Sequence, residues 1–139
     1  MHWSQKIAAE IIRRNPDKEE YVCAAGISPS GSIHIGNFRD IVTSFFVCLA
    51  LRRQGKAARL LFSWDEFDRL RKVPVNVQQI TEGFEKYIGM PYVDVPDPFG
   101  CCASYAEHFE KEFEASLAKF GIAVDFRHQA ALYRSGAYR

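Results

Sequence analysis

The sequence predicts an α/β fold in which a parallel sheet is flanked by helices. Two observations lead to this prediction: a short apolar strand runs into a glycine-containing turn at residues 26–31, and a long amphipathic helix and a second strand follow. Strand, turn, helix and strand form a βαβ unit, whose right-handed crossover makes the two strands parallel. Ligands of such sheets bind beyond the carboxyl ends of the strands, so functional residues are expected there.

The first half of the chain is read from hydrophobic spacing. Its predicted elements are a helix over 3–14, a strand over 21–25, a helix from 35 to the glycine at 55 and a strand over 57–64. Asn15-Pro16 ends the first helix, because a residue before proline is pushed out of the α region. The even apolar run of the first strand predicts burial on both faces. Gly55 supplies a left-handed stop for the long helix.

The second half is read from capping signals. Asn76 with Gln79 and Ser104 with Glu107 have capping-box spacing, which predicts two helices that reach Ile88 and Phe120. A third strand over 122–126 and a short helix from 129 to 133 complete the prediction. The segment 90–100 holds three of the six prolines and is expected to be an ordered loop or lid. The aromatic residues expected in the core of the second helix are Phe109, Phe113 and Phe120.

Composition and charge exclude several classes of protein. With 139 residues, 47% hydrophobic and 25% charged, the chain has the content of one globular domain and not of a disordered, collagenous or coiled-coil protein. No apolar run reaches the roughly 18 residues of a membrane span, and no secretory signal is present. We therefore expect a soluble, cytoplasmic protein with no membrane partner. A formal net charge of +1 also lacks the excess of a dedicated nucleic-acid binder.

The cysteines and histidines indicate no metal centre. Four cysteines include no C-x-x-C pair, so neither a disulfide framework nor a zinc finger is expected, and buried free thiols are the simpler interpretation. His108 and Glu112 are four residues apart on one helical face, but no second histidine is suitably placed beside them. The sequence therefore predicts no metal ligated by the protein.

The exit of the first strand is the strongest candidate site. It is followed by Ser28-Pro29-Ser30-Gly31-Ser32-Ile33-His34-Ile35-Gly36-Asn37. Oxyanions bind at this place in a βαβ unit, because free N–H groups and the helix dipole face the ligand. His34 can donate to a phosphate oxygen, and Gly36 leaves room for a flat base against the helix. The alternative is a serine-capped turn in which His34 only satisfies a helix end.

Residues 29–37 resemble the P-[ST]-G-x-x-H-x-G-[HN] motif of class I aminoacyl-tRNA synthetases, with Asn37 in the last position. The stretch W-D-E-F-D-R-L-R-K-V-P at 64–74, together with the segments 26–31, 34–39, 89–91, 95–101 and 104–109, resembles, more narrowly, class I lysyl-tRNA synthetase, the archaeal-type enzyme also found in some bacteria. The resemblance covers nearly the whole chain. It implies the N-terminal half of a Rossmann-like catalytic domain, and activation of lysine by ATP with Mg²⁺ before transfer to tRNA(Lys).

The resemblance also implies roles for individual residues. The implied ATP-binding residues are Pro29, Ser30, His34, Gly36 and Asn37. Of these, His34 and Asn37 are the implied catalytic residues, which hold the phosphates while the lysine carboxylate attacks the α-phosphate. Gly26 and Ser28 match a glycine and a hydroxyl residue that contact lysine in the family. No general base is needed, since catalysis of this kind is chiefly alignment and electrostatics.

The segment after the second strand adds charged candidates. An ammonium substrate needs an acceptor, which Asp65 or, as a second choice, Asp68 can supply; either can instead cap a helix or pair with an arginine. Arg69, Arg71 and Lys72 can approach the acceptor end of a tRNA, and the alternative for them is a solvated or ion-paired surface.

Two elements of the resembled family do not occur in these 139 residues: the K-[MI]-S-x-S-type loop and the helical anticodon-binding domain. Residues 1–139 are therefore expected to form an incomplete class I catalytic domain, inactive or weakly active alone, whose tRNA contacts lie mainly in domains not present here. Two alternatives stay open: a small single-domain nucleotidylyltransferase, and a non-enzymic fragment or paralogue that only binds a partner.

Overall fold

The computed structural model describes residues 1–139 and confirms the α/β class. Its helices and strands are α1 (Trp3–Arg14), β1 (Tyr21–Ile27), α2 (Ile35–Arg53), β2 (Ala58–Trp64), α3 (Val75–Gln78), α4 (Tyr105–Lys119), β3 (Asp125–His128) and α5 (Gln129–Ser135). The three strands form one parallel sheet in the order β1-β2-β3, flanked by helices. Single 3₁₀ turns at Phe84–Tyr87 and Tyr92–Asp94 interrupt the connection between α3 and α4. No helix combines the length and the apolar character that crossing a membrane requires.

The residues group into two compact units. The first contains residues 1–26, 34–63 and 122–127, and so holds α1, α2 and the sheet apart from the last residue of each strand. The second contains residues 27–33, 64–121 and 128–139, and so holds the segments that follow the strands together with α3, α4 and α5.

In the first unit, α1 packs against α2, and the buried interior includes Ile41, Leu51 and Leu60. Burial along β1 alternates: Tyr21 and Cys23 are buried, whereas Val22 is 42% exposed. The prediction that this strand is buried on both faces is therefore wrong, because only one face of β1 is covered. An even apolar run does not distinguish these two cases.

In the second unit, the core is an aliphatic and aromatic cluster around the start of α4. Its buried members are Leu70, Val73, Val77, Phe84, Tyr92, Val95, Tyr105, Ala106 and Phe109. The proline-rich segment 90–100 is an ordered loop as predicted, since the N–H of Leu70 donates to the Met90 carbonyl and Tyr92 and Val95 lie in the core.

The prediction of a continuous helix over 76–88 is wrong. Only Val75–Gln78 is helical, and its N-cap is Pro74, which has no side chain that can accept a hydrogen bond. Gly83 then adopts a left-handed conformation with φ of 68°, which interrupts any continuation, and buried Phe84 follows in a 3₁₀ turn. Packing of Phe84 into the core thus overrides the weak capping signal of Asn76.

The helix predicted from the Ser104 signal is confirmed. Ser104 Oγ accepts the N–H of Glu107 at 3.1 Å, and Gly121 follows the helix with φ of 68°. Phe109 and Phe113 are buried as predicted, but Phe120 is 69% exposed because it lies at the C-cap, past the apolar face of α4. The last strand is Asp125–His128, a few residues later than predicted, and α5 follows it directly.

Candidate active site

The imidazole of His34 lies at the start of α2, in the first unit. His34 is the N-cap residue of this 19-residue helix, and its ring Nδ1 accepts the backbone N–H of Gly36 at 3.1 Å. The residue is exposed, so the ring is not walled off by neighbouring side chains. Since Nδ1 is an acceptor, the proton of the neutral ring belongs on Nε2, which is left to donate to a ligand.

Gly36 has a specific steric role beside this ring. A Cβ at residue 36 would lie 2.9 Å from His34 Cε1 and 3.0 Å from Nδ1, closer than side chains tolerate. The glycine therefore makes room for the histidine itself, a reason distinct from the expected approach of a base. Asn37 follows in the first turn, half-buried, with its N–H donating to the His34 carbonyl at 3.1 Å.

An open pocket of about 440 Å³ lies in the second unit. It is lined by Ser28, Ser30, Asp68, Arg69, Arg71, Lys72 and Tyr92. Ser28 Oγ donates to Asp68 Oδ2 at 2.6 Å, which joins the segment after β1 to the segment after β2. Three cationic side chains and one carboxylate thus share the lining, so the pocket suits a ligand that carries both negative and positive charge.

Residues 28–31, which form one wall of the pocket, are held in place by contacts with α4 and with Pro74. The buried hydroxyl of Tyr105 donates to the Ser30 carbonyl at 2.6 Å. Gly31 is buried, and a Cβ there would lie 3.3 Å from Pro74 Cγ. Burial, and less strongly Tyr92, raise the pKa of Tyr105, so its hydroxyl stays a donor at any physiological pH.

Asp65 occupies a different place from Asp68. It is half-buried just after β2, and its N–H donates to the Ile27 carbonyl at 2.9 Å. Burial, together with the charge of Asp68, raises the pKa of the Asp65 carboxyl. It is not among the residues that line the pocket.

The structure thus gathers some of the predicted residues in one pocket. The residues that line it are Ser28, Ser30, Arg69, Arg71 and Lys72, and Pro29 is buried between the two serines in sequence. His34, Gly36 and Asn37 belong to the first unit, as does exposed Gly26 at the end of β1. Sequence reasoning assigned no role to Tyr92 or Tyr105 and ranked Asp68 second. Forty residues separate Ser28 from Asp68, and no spacing rule connects them.

Comparison with known proteins decides the family. The family model described as tRNA synthetases class I (K) matches residues 1–139, the whole chain. The chain belongs to this class I synthetase family. Proteins named lysine–tRNA ligase are similar to it: that of Pyrococcus horikoshii is 49% identical over 138 residues, and that of Treponema pallidum 45% over 138 residues. The resemblance to class I lysyl-tRNA synthetase is thereby confirmed.

The class I synthetase chain is shorter than these relatives. The two matches cover 99% of this chain but 26% of each relative, and a match to the lysine–tRNA ligase of Streptomyces coelicolor, 43% identical over 142 residues, covers 24% of that protein. The chain therefore spans about a quarter of the length of the curated relatives that it matches.

Two groups of side chains in the class I synthetase chain have ligand atoms close enough to hold a metal ion. In the first, Asp97, Cys101, Cys102 and His108 place their ligand atoms within 4.8 Å of one another. The second group consists of Glu66, Glu110 and His128, within the same limit. The expectation that the protein ligates no metal stays a prediction, and these groups are where it can be tested.

The Asp97 group also organises the loop before α4. Asp97 accepts the backbone N–H groups of Phe99, Cys101 and Cys102 at 2.8 to 3.0 Å. Burial alone would raise the pKa of Asp97, but these donors together hold it below its usual value. Two sulfurs, an imidazole and a carboxylate are ligands that suit zinc. Cys101 is exposed and Cys102 half-buried, so the prediction of buried thiols is right only for Cys23 and Cys48.

Proposed function

We propose that this chain supplies the residues that bind lysine and ATP in a class I lysine–tRNA ligase. The family membership and the names of the relatives support the proposal, and the feature that carries it is the orientation of His34. An exposed imidazole at a helix start, with Nδ1 occupied by Gly36 and Nε2 free, is a donor for a phosphate oxygen. As part of that enzyme, residues 1–139 form a portion of the catalytic domain.

The proposed reaction has two steps. A lysine carboxylate oxygen attacks the α-phosphorus of ATP, the bond to the β-phosphate oxygen breaks, and pyrophosphate leaves with lysyl-adenylate as the product. A hydroxyl at the 3′ end of the tRNA then attacks the lysyl carbonyl, and AMP leaves. Mg²⁺ arrives with the nucleotide as part of the substrate and neutralises phosphate charge.

His34 and Asn37 act on the nucleotide in this proposal. The Nε2–H of His34 donates to a phosphate oxygen on which charge develops as pyrophosphate leaves, and the helix dipole at the start of α2 adds to this stabilisation. Asn37 offers an amide to the same phosphates, and Gly36 leaves room for the His34 ring. Pro29 and Ser30 are the other predicted ATP-binding residues. No covalent enzyme intermediate is needed.

Lysine binds the pocket of the second unit in this proposal. Gly26, Ser28 and Asp65 are the predicted lysine residues, and the pocket adds Asp68, whose carboxylate already accepts the Ser28 hydroxyl. Because Asp68 lines the pocket and Asp65 does not, we place the side-chain ammonium of lysine at Asp68. Asp65 remains the alternative acceptor.

The cationic side chains of the pocket are proposed to contact the tRNA. Arg69, Arg71 and Lys72 are exposed and line the pocket, where they can neutralise phosphates of the tRNA acceptor end. Contacts of this kind are independent of base identity, so recognition of the lysine tRNA belongs to other parts of the enzyme.

A replacement experiment tests the proposal. The 138 residues of the Pyrococcus horikoshii ligase that match this chain are exchanged for it, and lysine-dependent exchange between ATP and pyrophosphate is measured. We expect exchange with lysine and not with norleucine, which lacks the side-chain ammonium. His34→Ala is expected to lower the rate about 100-fold, since one lost transition-state contact costs on the order of 3 kcal/mol.

A binding measurement on the chain itself accompanies the replacement. Titration of the 139-residue chain with lysine, followed by NMR, is expected to shift the signals of residues 28–30 and 68–72. An unchanged exchange rate in the folded His34→Ala protein would remove the role of His34. Equal responses to lysine and norleucine in both experiments would reject the ligase assignment.

A further inference from the structure

Two buried glutamates meet in the second unit, away from the pocket. Glu66 follows β2 and is 6% exposed, and Glu110 lies on α4 and is 5% exposed. His128, where β3 ends and α5 begins, directs its Nδ1 at both carboxylates, at 3.2 Å from Glu66 Oε2 and 3.6 Å from Glu110 Oε2. We name these three residues the Glu66 cluster.

The Glu66 cluster places two buried carboxyl groups beside a single imidazole. His128 is the one basic side chain in salt-bridge contact with the two carboxylates, and Glu114, one turn further along α4, adds a further acidic group. Glu110 Oε1 is buried and has no hydrogen-bond partner. A buried carboxylate oxygen without a partner is costly, so its retention points to a group that occupies the site.

Two of the spacings between ligand atoms are compatible with a metal ion, and all of these atoms lie within 4.8 Å of one another. Donors about 2.0–2.2 Å from zinc, at tetrahedral angles, lie about 3.3–3.6 Å from one another. The two distances from His128 Nδ1, 3.2 and 3.6 Å, approximate such edges. The Ala130 N–H, which donates to Glu66 Oε1 at 3.2 Å, supplies the outer hydrogen bond that orients a ligating carboxylate.

We propose that Glu66, Glu110 and His128 bind a divalent transition-metal ion of the zinc class. Two carboxylates and one imidazole are ligands for such ions, with a fourth position for water. The half-exposed side chain of His128, at 46%, provides the access route from solvent. The bound ion would connect the start of α5 to α4 and to the segment after β2.

A proton shared between the two glutamates is the competing occupant. Burial and the contact with Glu66 raise the pKa of Glu110, and a protonated carboxyl would relieve the repulsion without any metal. The two occupants differ in what they require: a metal needs all three side chains, whereas a shared proton needs only the glutamates.

Zinc titration of the chain distinguishes the two. The Cys101→Ser/Cys102→Ser protein is used as the background, so that the Asp97 group cannot hold zinc through its thiolates. Competition with a chromophoric chelator is expected to give one zinc per chain. Cobalt in place of zinc is expected to give visible ligand-field bands without thiolate charge transfer.

Three variants in that background test the ligands. Glu110→Gln and His128→Ala are each expected to lower zinc affinity about 100-fold or more. Loss of a residue that only hydrogen-bonds to a metal ligand already lowers metal affinity about 10–100-fold, and loss of a ligand should cost more. Glu112→Gln, an exposed position on the same helix, is the matched control and keeps the affinity. Glu110→Gln resembles the protonated carboxyl and is expected to fold, which circular dichroism checks. The proposal would be overturned if no zinc bound, or if zinc affinity were unchanged in both Glu110→Gln and His128→Ala.

Discussion

The backbone N–H of Gly36 donates to Nδ1 of His34, and a Cβ at residue 36 would come within 2.9 Å of the same ring. The two residues therefore form a pair in which the glycine fixes both the place and the tautomer of the imidazole. This pair explains the H-x-G spacing of the motif locally, within one turn of α2.

Gly36→Ala is expected to weaken MgATP binding about 10-fold or more, because the added methyl group displaces the His34 ring. Stability is expected to hold, since alanine is a better helix former than glycine by roughly 1 kcal/mol. Calorimetric titration with MgATP and a thermal melt measure the two effects. Ile35→Ala, at an 80% exposed neighbouring position, is the control, and equal loss of affinity there would contradict the steric argument.

Asp68→Asn is expected to lower lysine affinity about 10- to 100-fold, since a hydrogen bond to a charged group is worth about 1.5–3 kcal/mol. The isosteric Asp65→Asn is expected to have a smaller effect, because Asp65 does not line the pocket. NMR titration with lysine measures both. The reverse order of the two variants would place the ammonium at Asp65.

Tyr105→Phe is expected to destabilise the protein by about 1–3 kcal/mol, because the partly buried hydrogen bond from Tyr105 to the Ser30 carbonyl is lost. Lysine affinity is expected to fall at the same time, because Ser28 and Ser30 line the pocket and belong to the segment that loses this support. Urea unfolding and lysine titration are the measurements. Tyr133→Phe, at a 54% exposed tyrosine, serves as the control for removal of a hydroxyl. Lysine affinity that survives Tyr105→Phe would show that residues 28–31 keep their conformation without this hydrogen bond.

Asp97→Ala is expected to destabilise the protein by about 2–3 kcal/mol, because three backbone N–H groups lose their acceptor. Asp94→Ala breaks only an exposed pair with Arg134 and is expected to cost about 0–1 kcal/mol. Urea unfolding compares the two variants. Equal effects would mean that the loop before α4 is held by its apolar contacts alone.

Cys23 is expected to resist alkylation by iodoacetamide at pH 8. Burial, with a smaller contribution from Cys48, raises the pKa of Cys23 to about 11, so the reactive thiolate is scarce until the pH approaches that value. Mass spectrometry of the labelled native protein measures the modification. Labelling in guanidinium chloride, where every cysteine reacts, is the control. Rapid native labelling of Cys23 would show that β1 opens readily.

Part of this structure could be predicted because local signals carried it. Ser104 begins α4 by a short-range hydrogen bond, as predicted, and Gly121 follows its end in a left-handed conformation. Asn76 offered a similar signal and failed, because the position of Phe84 is decided by partners distant in sequence. Secondary structure followed from sequence wherever local and tertiary preferences agreed.

The candidate site divides in the same way. The His34 motif is contiguous, so its chemistry could be inferred from residues 28–37 alone. The contact between Ser28 and Asp68 and the support from Tyr105 to Ser30 depend on how distant segments pack. The choice between Asp65 and Asp68 was open in the sequence for this reason.

The hydrogen bond from Tyr105 to Ser30 and the packing of Gly31 on Pro74 have a kinetic consequence. Residues 28–31 are therefore preorganised, and lysine binding does not wait for this segment to rearrange. The observed rate of lysine association should then rise in proportion to lysine concentration without reaching a plateau.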